Sequence, residues 1–374
     1  MGDSWTPNYS DSDSEDNEVY IARDPRKDKH FDRKQELLWN CKGKVGMIGK
    51  GRQPQVIAVI GPPGCGKSSF LNTVFAAFSN NHWEELAKYG AYGSQHKQVT
   101  RKFKSFEKKD YYKDKDEYLM PTFLDMTGFD DENSPVIREL LNIVFSGKLK
   151  DGENLYDVIR YESRNGLISL REKYFGQKYF GVIPVVNGNN VLTEFLDLFA
   201  IPNRKDNQRV SKIIVISSAN PESRLPGNLF DAVTDVTNNQ HDITLYGVLT
   251  QGDKFRSRDP EVKDKEKAFM RALGIPKERF AKVKNYCPEV DRNMTYQETI
   301  IPSLDVPVLR LMRQVLSADV NNETTNKTAK DRIKSYISPY VPDLSQPAGQ
   351  MNVIIFAVIL YILCMFICYN CFKR

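Results

Sequence analysis

Val56-Ile-Ala-Val-Ile-Gly-Pro-Pro-Gly-Cys-Gly-Lys-Ser68 is the stretch from which the rest of the chain can be placed. Val56 to Ile60 is a short, β-rich apolar run that reads as a buried parallel strand. Gly61-Pro62-Pro63-Gly64-Cys65-Gly66-Lys67-Ser68 follows at once and matches the G-x-x-x-x-G-K-[ST] phosphate loop at every fixed position. Beyond it Ser69, Phe70, Leu71, Val74, Phe75 and Phe78 recur at helical spacing. Strand, glycine loop and helix thus come in the order the motif requires, where a glycine turn that binds nothing needs neither flank. The residue types suit the chemistry. Gly61, Gly64 and Gly66 let the backbone wrap tightly and aim N–H groups at phosphate oxygens. The helix beginning near Lys67 adds the positive end of its dipole. Lys67 is expected to reach the β- and γ-phosphates and the Ser68 hydroxyl to take one Mg²⁺ position, with Pro62, Pro63, Cys65 and Ser69 against the same anion. Cys65, beside Lys67 and a helix N-terminus, reads either as a thiol with a favoured thiolate or as a tolerated small residue.

A chain of 374 residues allows one large domain or two smaller ones. With 40% hydrophobic residues it has enough apolar material for a core. The net charge of +5 is too modest to argue for nucleic acid, and no basic face with interleaved aromatics occurs, so none is expected as a partner. Six cysteines and four histidines show no metal-ligand spacing, which excludes a zinc site on pattern and suits a reduced cytosolic body. Residues 1–34 read as a disordered acidic tail, with Ser10-Asp-Ser-Asp-Ser-Glu-Asp16 at its heart, followed by a charged linker. A short helical segment from Lys34 to Trp39 opens the domain, which is drawn at residues 35–318.

Along that domain, Lys102-Phe-Lys-Ser-Phe106 alternates as an exposed edge strand does, and Thr100 lies in the loop before it. A threonine there can close over Mg²⁺ and the γ-phosphate as a first switch, although other threonines and serines could serve. Thr122-Phe-Leu-Asp125-Met-Thr-Gly128 is an apolar strand ending in an acid joined to a D-x-x-G turn. Asp125 is expected to hold Mg²⁺ through water and the Gly128 N–H to sense γ-phosphate. Phe129 stands where a Ras-type enzyme carries its water-orienting glutamine, so hydrolysis needs another group or a partner. An insertion with helical patterning spans about 130–209: Val136 to Phe145, Leu167 to Phe175 and Leu192 to Phe199. Ile213 to Ser218, Thr244 to Thr250 and Phe280 to Val283 read as further strands, and Asp305 to Leu316 as an amphipathic closing helix. Thr250-Gln251-Gly252-Asp253 fits the guanine-reading pattern [NT]-K-x-D except that Gln251 replaces the lysine. Asp253 would select guanine by accepting from the N1–H and N2–H₂ of the base. Asn285 sits where a final base-backing loop would be.

Residues 319–350 read as a linker rich in proline toward its end. Val353 to Tyr369 is an uncharged apolar run, so residues 351–372 are expected to be a C-terminal transmembrane anchor of a tail-anchored chain. The short span, with Lys373-Arg374 beyond it, fits the endoplasmic reticulum or the outer mitochondrial membrane. The phosphate loop continuing into Ser69-Phe-Leu-Asn72, the strand into Asp125 and Gly128, the helical insert and Asn285-Tyr286-Cys287 together resemble the interferon-induced protein 44-like GTPases over about residues 35–318. The resemblance implies a GTP-binding domain, often with a degenerate guanine motif, and a role in innate antiviral responses. The fold expected is α/β, a Ras-like phosphate-loop domain with helices on both faces of a mostly parallel sheet. The expected cofactors are GTP or GDP and Mg²⁺, with self-association or an activating protein as partner. A scaffold that binds nucleotide without turnover is the alternative.

Overall fold

The computed structural model describes residues 24–49, 53–79, 83–88, 102–126, 128–129, 135–155, 157–158, 173–174, 209–238, 243–252, 259–288, 290–291 and 293–317. They belong to one compact unit, Met1–Ser317; a second unit, Ala318–Arg374, lies outside the described residues, and with it the apolar run 353–369. Among the described residues no helix is long and apolar enough to cross a membrane.

Six strands form one sheet: β1 (Val56–Ile60), β2 (Lys104–Phe106), β3 (Thr122–Asp125), β4 (Lys212–Ser218), β5 (Thr244–Thr250) and β6 (Phe280–Lys282), in the order β2-β3-β1-β4-β5-β6. All neighbours are parallel except the edge pair β2 and β3. The fold is therefore mixed α/β with a mostly parallel sheet, as the strand–loop–helix opening requires. The α-helices that accompany the sheet include α1 (Phe31–Val45), α2 (Lys67–Ser79), α3 (Lys108–Tyr111), α4 (Pro135–Phe145), α5 (Gly227–Val236), α6 (Pro260–Leu273) and α7 (Pro302–Val315).

Chain handedness decides which face each helix covers. The connection from β1 to β3 runs one way across the sheet, while those from β3 to β4, β4 to β5 and β5 to β6 run the other. Right-handed crossovers then put α2 on one face and α4, α5 and α6 on the opposite one. The two cores follow this division, and alternate strand residues feed them. Ala58, Ile60, Leu124, Ile213 and Val215 pack with α4, α5 and α6. Ile57, Val59, Phe123, Ile214 and Ile216 pack with α1, α2 and α7. β1, β3, β4 and β5 are buried on both sides, which is why they read as largely apolar runs, whereas the edge strands β2 and β6 are partly exposed. The open edge of β2 is covered: the Ser105 N–H donates to Asp151 Oδ1 at 2.6 Å and the Phe103 N–H to the Glu153 carbonyl at 2.8 Å. An edge so occupied cannot pair with another chain.

Three expectations change. The first helix begins at Phe31 and runs to Val45, preceded by a 3₁₀ turn at Pro25–Lys27, so residues 24–34 belong to the domain and not to a linker. The segment Val136 to Phe145 is α4, a core layer of the sheet and not part of an insertion, because Ile137, Leu140, Leu141 and Val144 pack directly on it. The closing helix starts at Pro302, where proline suits a first helical position. The segments read as helices at 167–175 and 192–199 lie outside the described residues apart from Lys173 and Tyr174.

A buried ion pair fastens the two ends of the unit. Lys34 Nζ on α1 meets Asp305 Oδ2 on α7 at 2.7 Å, with both side chains at 0% exposure. The Tyr286 hydroxyl donates to Asp305 Oδ1 at 2.9 Å and accepts from the Ile301 N–H at 2.8 Å. Burial pushes the Asp305 carboxyl up from its ordinary value, and the Lys34 ammonium opposes that shift. Lys34→Met should lower stability by about 3–5 kcal/mol, because it strands a buried charge. Lys34→Met with Asp305→Asn should recover most of the loss in urea unfolding. A double variant no more stable than the single one would contradict the pair's role.

Candidate functional site

The carboxyl end of β1 is where the chain divides, with one connection leaving toward β3 and the later ones passing to β4 and beyond. In open α/β sheets such a point leaves a crevice beyond the strand ends, and the loop 61–66 sits in it. The loop is pressed hard against β4: a Cβ on Gly61 would lie 2.2 Å from the Ile216 carbonyl oxygen, which only glycine avoids. Gly66, at φ +85°, is likewise in a backbone region open to glycine, and its missing side chain leaves room for Thr250 and Asn285.

Lys67 opens α2 and is buried, donating from Nζ to the Pro62 carbonyl at 2.8 Å and to the Gly61 carbonyl at 3.2 Å. The ammonium therefore closes the loop on itself. Ser68 Oγ donates to Asp125 Oδ2 at 2.9 Å, joining the first turn of α2 to the end of β3. Asp125 is 2% exposed, and its Oδ1 is buried without a hydrogen-bond partner. Burial pushes its carboxyl up to about 6, against the pull of the Ser68 hydroxyl and the Lys67 ammonium. A buried carboxylate with a free oxygen beside a serine hydroxyl is a pair of hard oxygen donors, the set that suits Mg²⁺. Ser68 and Asp125, two of the three residues expected for the metal, thus have donor chemistry that fits it; the third, Thr100, lies outside the described residues.

The D-x-x-G turn lies directly over the loop. A Cβ on Gly128 would fall 2.4 Å from the Pro63 nitrogen, and the Phe129 N–H donates to the Gly61 carbonyl at 3.2 Å. The Phe129 side chain is a core residue at 5% exposure and cannot orient a water. From the far side Thr250 Oγ1 donates to the Cys65 carbonyl at 2.5 Å, with the Ser217 carbonyl 3.3 Å away. Thr250 therefore frames the loop. Asn285 also turns inward, its Oδ1 3.5 Å from Thr73 Oγ1, while the Tyr286 N–H donates to that same hydroxyl at 3.2 Å.

Ser69 adds its carbonyl to this cluster, accepting from Thr73 Oγ1 at 2.9 Å. Cys65 is 2% exposed, and burial pushes its thiol up in spite of Lys67, so the activated-thiolate reading gives way to the packing one. Thr100 and Asp253 lie outside the described residues. Motif spacing does not mark Thr73 beside Asn285, and it gives Gln251 only as a lost lysine. Gln251 Nε2 instead donates to the Gly64 carbonyl at 3.3 Å. Its position directly after a strand that ends beside the phosphate loop was the available signal.

Compared with known proteins, the chain matches no protein-family model and no curated protein.

The Asp125 carboxyl carries a pH signature. Its folded-state value, about 6, lies above its ordinary value of 3.8. Its contribution to stability is therefore complete below 3.8 and lost as pH rises through about 6. Ligand-free Asp125→Asn should be more stable than the parent chain near neutral to mildly alkaline pH by roughly 1–3 kcal/mol, a gain that shrinks in acid. The same variant should lose Mg²⁺-dependent stabilisation by nucleotide. Thermal melts across pH, with and without Mg²⁺ and nucleotide, check both; a variant less stable than the parent in mild alkali would contradict the account.

Proposed function

We propose that the chain is a Mg²⁺-dependent GTP-binding protein of the Ras-like phosphate-loop class, with slow or partner-assisted hydrolysis. The observation that carries the reading is the 2.9 Å contact between Ser68 and the buried Asp125 beside a loop closed by Lys67, at the switch point of the sheet. The strand order, with only its β2 edge antiparallel, supports it. Lys67 and the N–H groups at the start of α2 would bind and orient the phosphate chain. Ser68 and Asp125 would hold Mg²⁺, which when bound neutralises charge on the β- and γ-phosphates. Gly128 would sense the γ-phosphate from above. Base choice rests on Asp253, and Thr100 is the candidate switch residue. The overall change is GTP and water to GDP and phosphate.

A second reading, a nucleotide-binding scaffold without turnover, is favoured by one observation. Phe129 is buried and its N–H is tied to Gly61, so the site has no water-orienting side chain at that position. Self-association or an activating protein would then have to supply the missing group. The apolar run 353–369 supports a membrane anchor in the endoplasmic reticulum or the outer mitochondrial membrane. The likeness to interferon-induced protein 44-like GTPases supports an innate antiviral setting.

Calorimetry on the full chain with Mg²⁺, comparing GTP, GDP and ATP, tests this. GTP should bind, ATP should bind far more weakly, and Lys67→Ala should abolish binding. Phosphate release should be slow, on the order of 10⁻⁴ to 10⁻² per second, and should rise with protein concentration if copies activate one another. Binding without release at any concentration selects the scaffold. Equal binding of ATP and GTP would overturn guanine selection, and no binding would overturn the reading entirely.

A further inference from the structure

We propose that Gln251 is a positioning residue for the phosphate loop, gripping it from the end of β5 so that it presents its N–H groups to a phosphate chain regardless of the base attached. The inference rests on the nucleotide-binding reading above and adds to it what the residue in the lysine position does.

Both polar atoms of the Gln251 amide are engaged with protein. Ser218 Oγ, at the end of β4, donates to Gln251 Oε1 at 2.6 Å. Gln251 Nε2 donates to the Gly64 carbonyl at 3.3 Å. The amide orientation follows from chemistry, since a carbonyl can only accept and must face the NH₂ end. Its neighbour Thr250 holds the next loop carbonyl, that of Cys65, at 2.5 Å. Two consecutive residues of the β5 end thus hold two consecutive carbonyls of the phosphate loop.

Peptide planarity converts this grip into a function. In a trans peptide the C=O of one residue and the N–H of the next point in opposite directions. Drawing the Gly64 and Cys65 carbonyls toward β5 therefore turns the N–H groups of Cys65 and Gly66 away from it. Those are donors that a phosphate needs. The anchor acts on the phosphate chain and has no term that depends on the base. The cost is local: Gln251 sits at φ 60°, a left-handed conformation that a non-glycine residue adopts only under constraint. An unfavourable backbone kept in place by its side-chain contacts marks a residue retained for position and not for fold stability.

Competition against fluorescent GTP on the full chain with Mg²⁺ provides the test, using GTP, ITP and inorganic tripolyphosphate as competitors. Gln251→Gly and Gln251→Glu remove the donor to Gly64. Each should weaken all three competitors by the same factor, about three- to tenfold for one hydrogen bond. Gln251→Lys restores a donor and should restore binding of all three. Gln251→Gly should also melt no lower than the parent chain, because glycine relieves the left-handed backbone. A loss confined to GTP and ITP would make Gln251 a base contact and overturn the proposal. Unchanged affinities would overturn it, as would a Gln251→Gly chain that loses stability along with affinity. Tripolyphosphate that fails to displace GTP from the parent chain would also overturn it. A parent chain that binds no GTP instead removes the nucleotide reading, and this inference with it.

Discussion

The hydrogen bond from Ser68 to Asp125 is the constraint around which the unit is arranged. It needs β3 beside β1 and in register with it, because Asp125 must end level with the loop that leaves β1. It also needs α2 to begin at Lys67, which the glycine loop makes possible by turning the chain so tightly. The carboxylate is then held where water cannot solvate it, at a cost to the folded state that a cation would offset. A site that disfavours its own charge when empty is poised to take a positive one.

The frame behind this pair comes from strand ends on the other side. Thr250 and Gln251 hold the loop carbonyls, Asn285 and Tyr286 meet Thr73 on α2, and Tyr286 reaches on to Asp305 and through it to Lys34. The phosphate loop is thus built into a polar network that extends to the first and last helices of the unit. The loop's shape is inherited from the fold as a whole, and short-range glycine chemistry supplies only the permission for it.

Much of the fold was legible because its strands are short apolar runs with clear borders. β1, β3 and β5 fall on their expected residues, and β4 differs only by Lys212 at its start. The helices α5 and α6 were not read. In α6 only Val262, Lys265, Phe269 and Leu273 are buried among many charges, too sparse a stripe to mark a helix by periodicity. The burial of Lys34, at the expected border of linker and first helix, was not legible because a lysine in a charged run normally faces solvent and its partner Asp305 is remote in sequence. At the site, the meeting of Lys67, Ser68 and Asp125 around the glycine loop was legible from motif spacing, since it follows from position in the chain. The inward turn of Thr250, Gln251 and Asn285 was not, because it depends on which way a side chain leaves a strand end.

If Ser68 and Asp125 hold a divalent cation against a nucleotide phosphate, Mn²⁺ can replace Mg²⁺ and report its own surroundings. Pulsed electron paramagnetic resonance of the full chain with Mn²⁺ and GDP should then give a bound-ion signal coupled to ³¹P. That coupling should disappear in Ser68→Ala and in Asp125→Ala. A ³¹P coupling indifferent to both substitutions, or no bound Mn²⁺ with GDP present, would contradict the site.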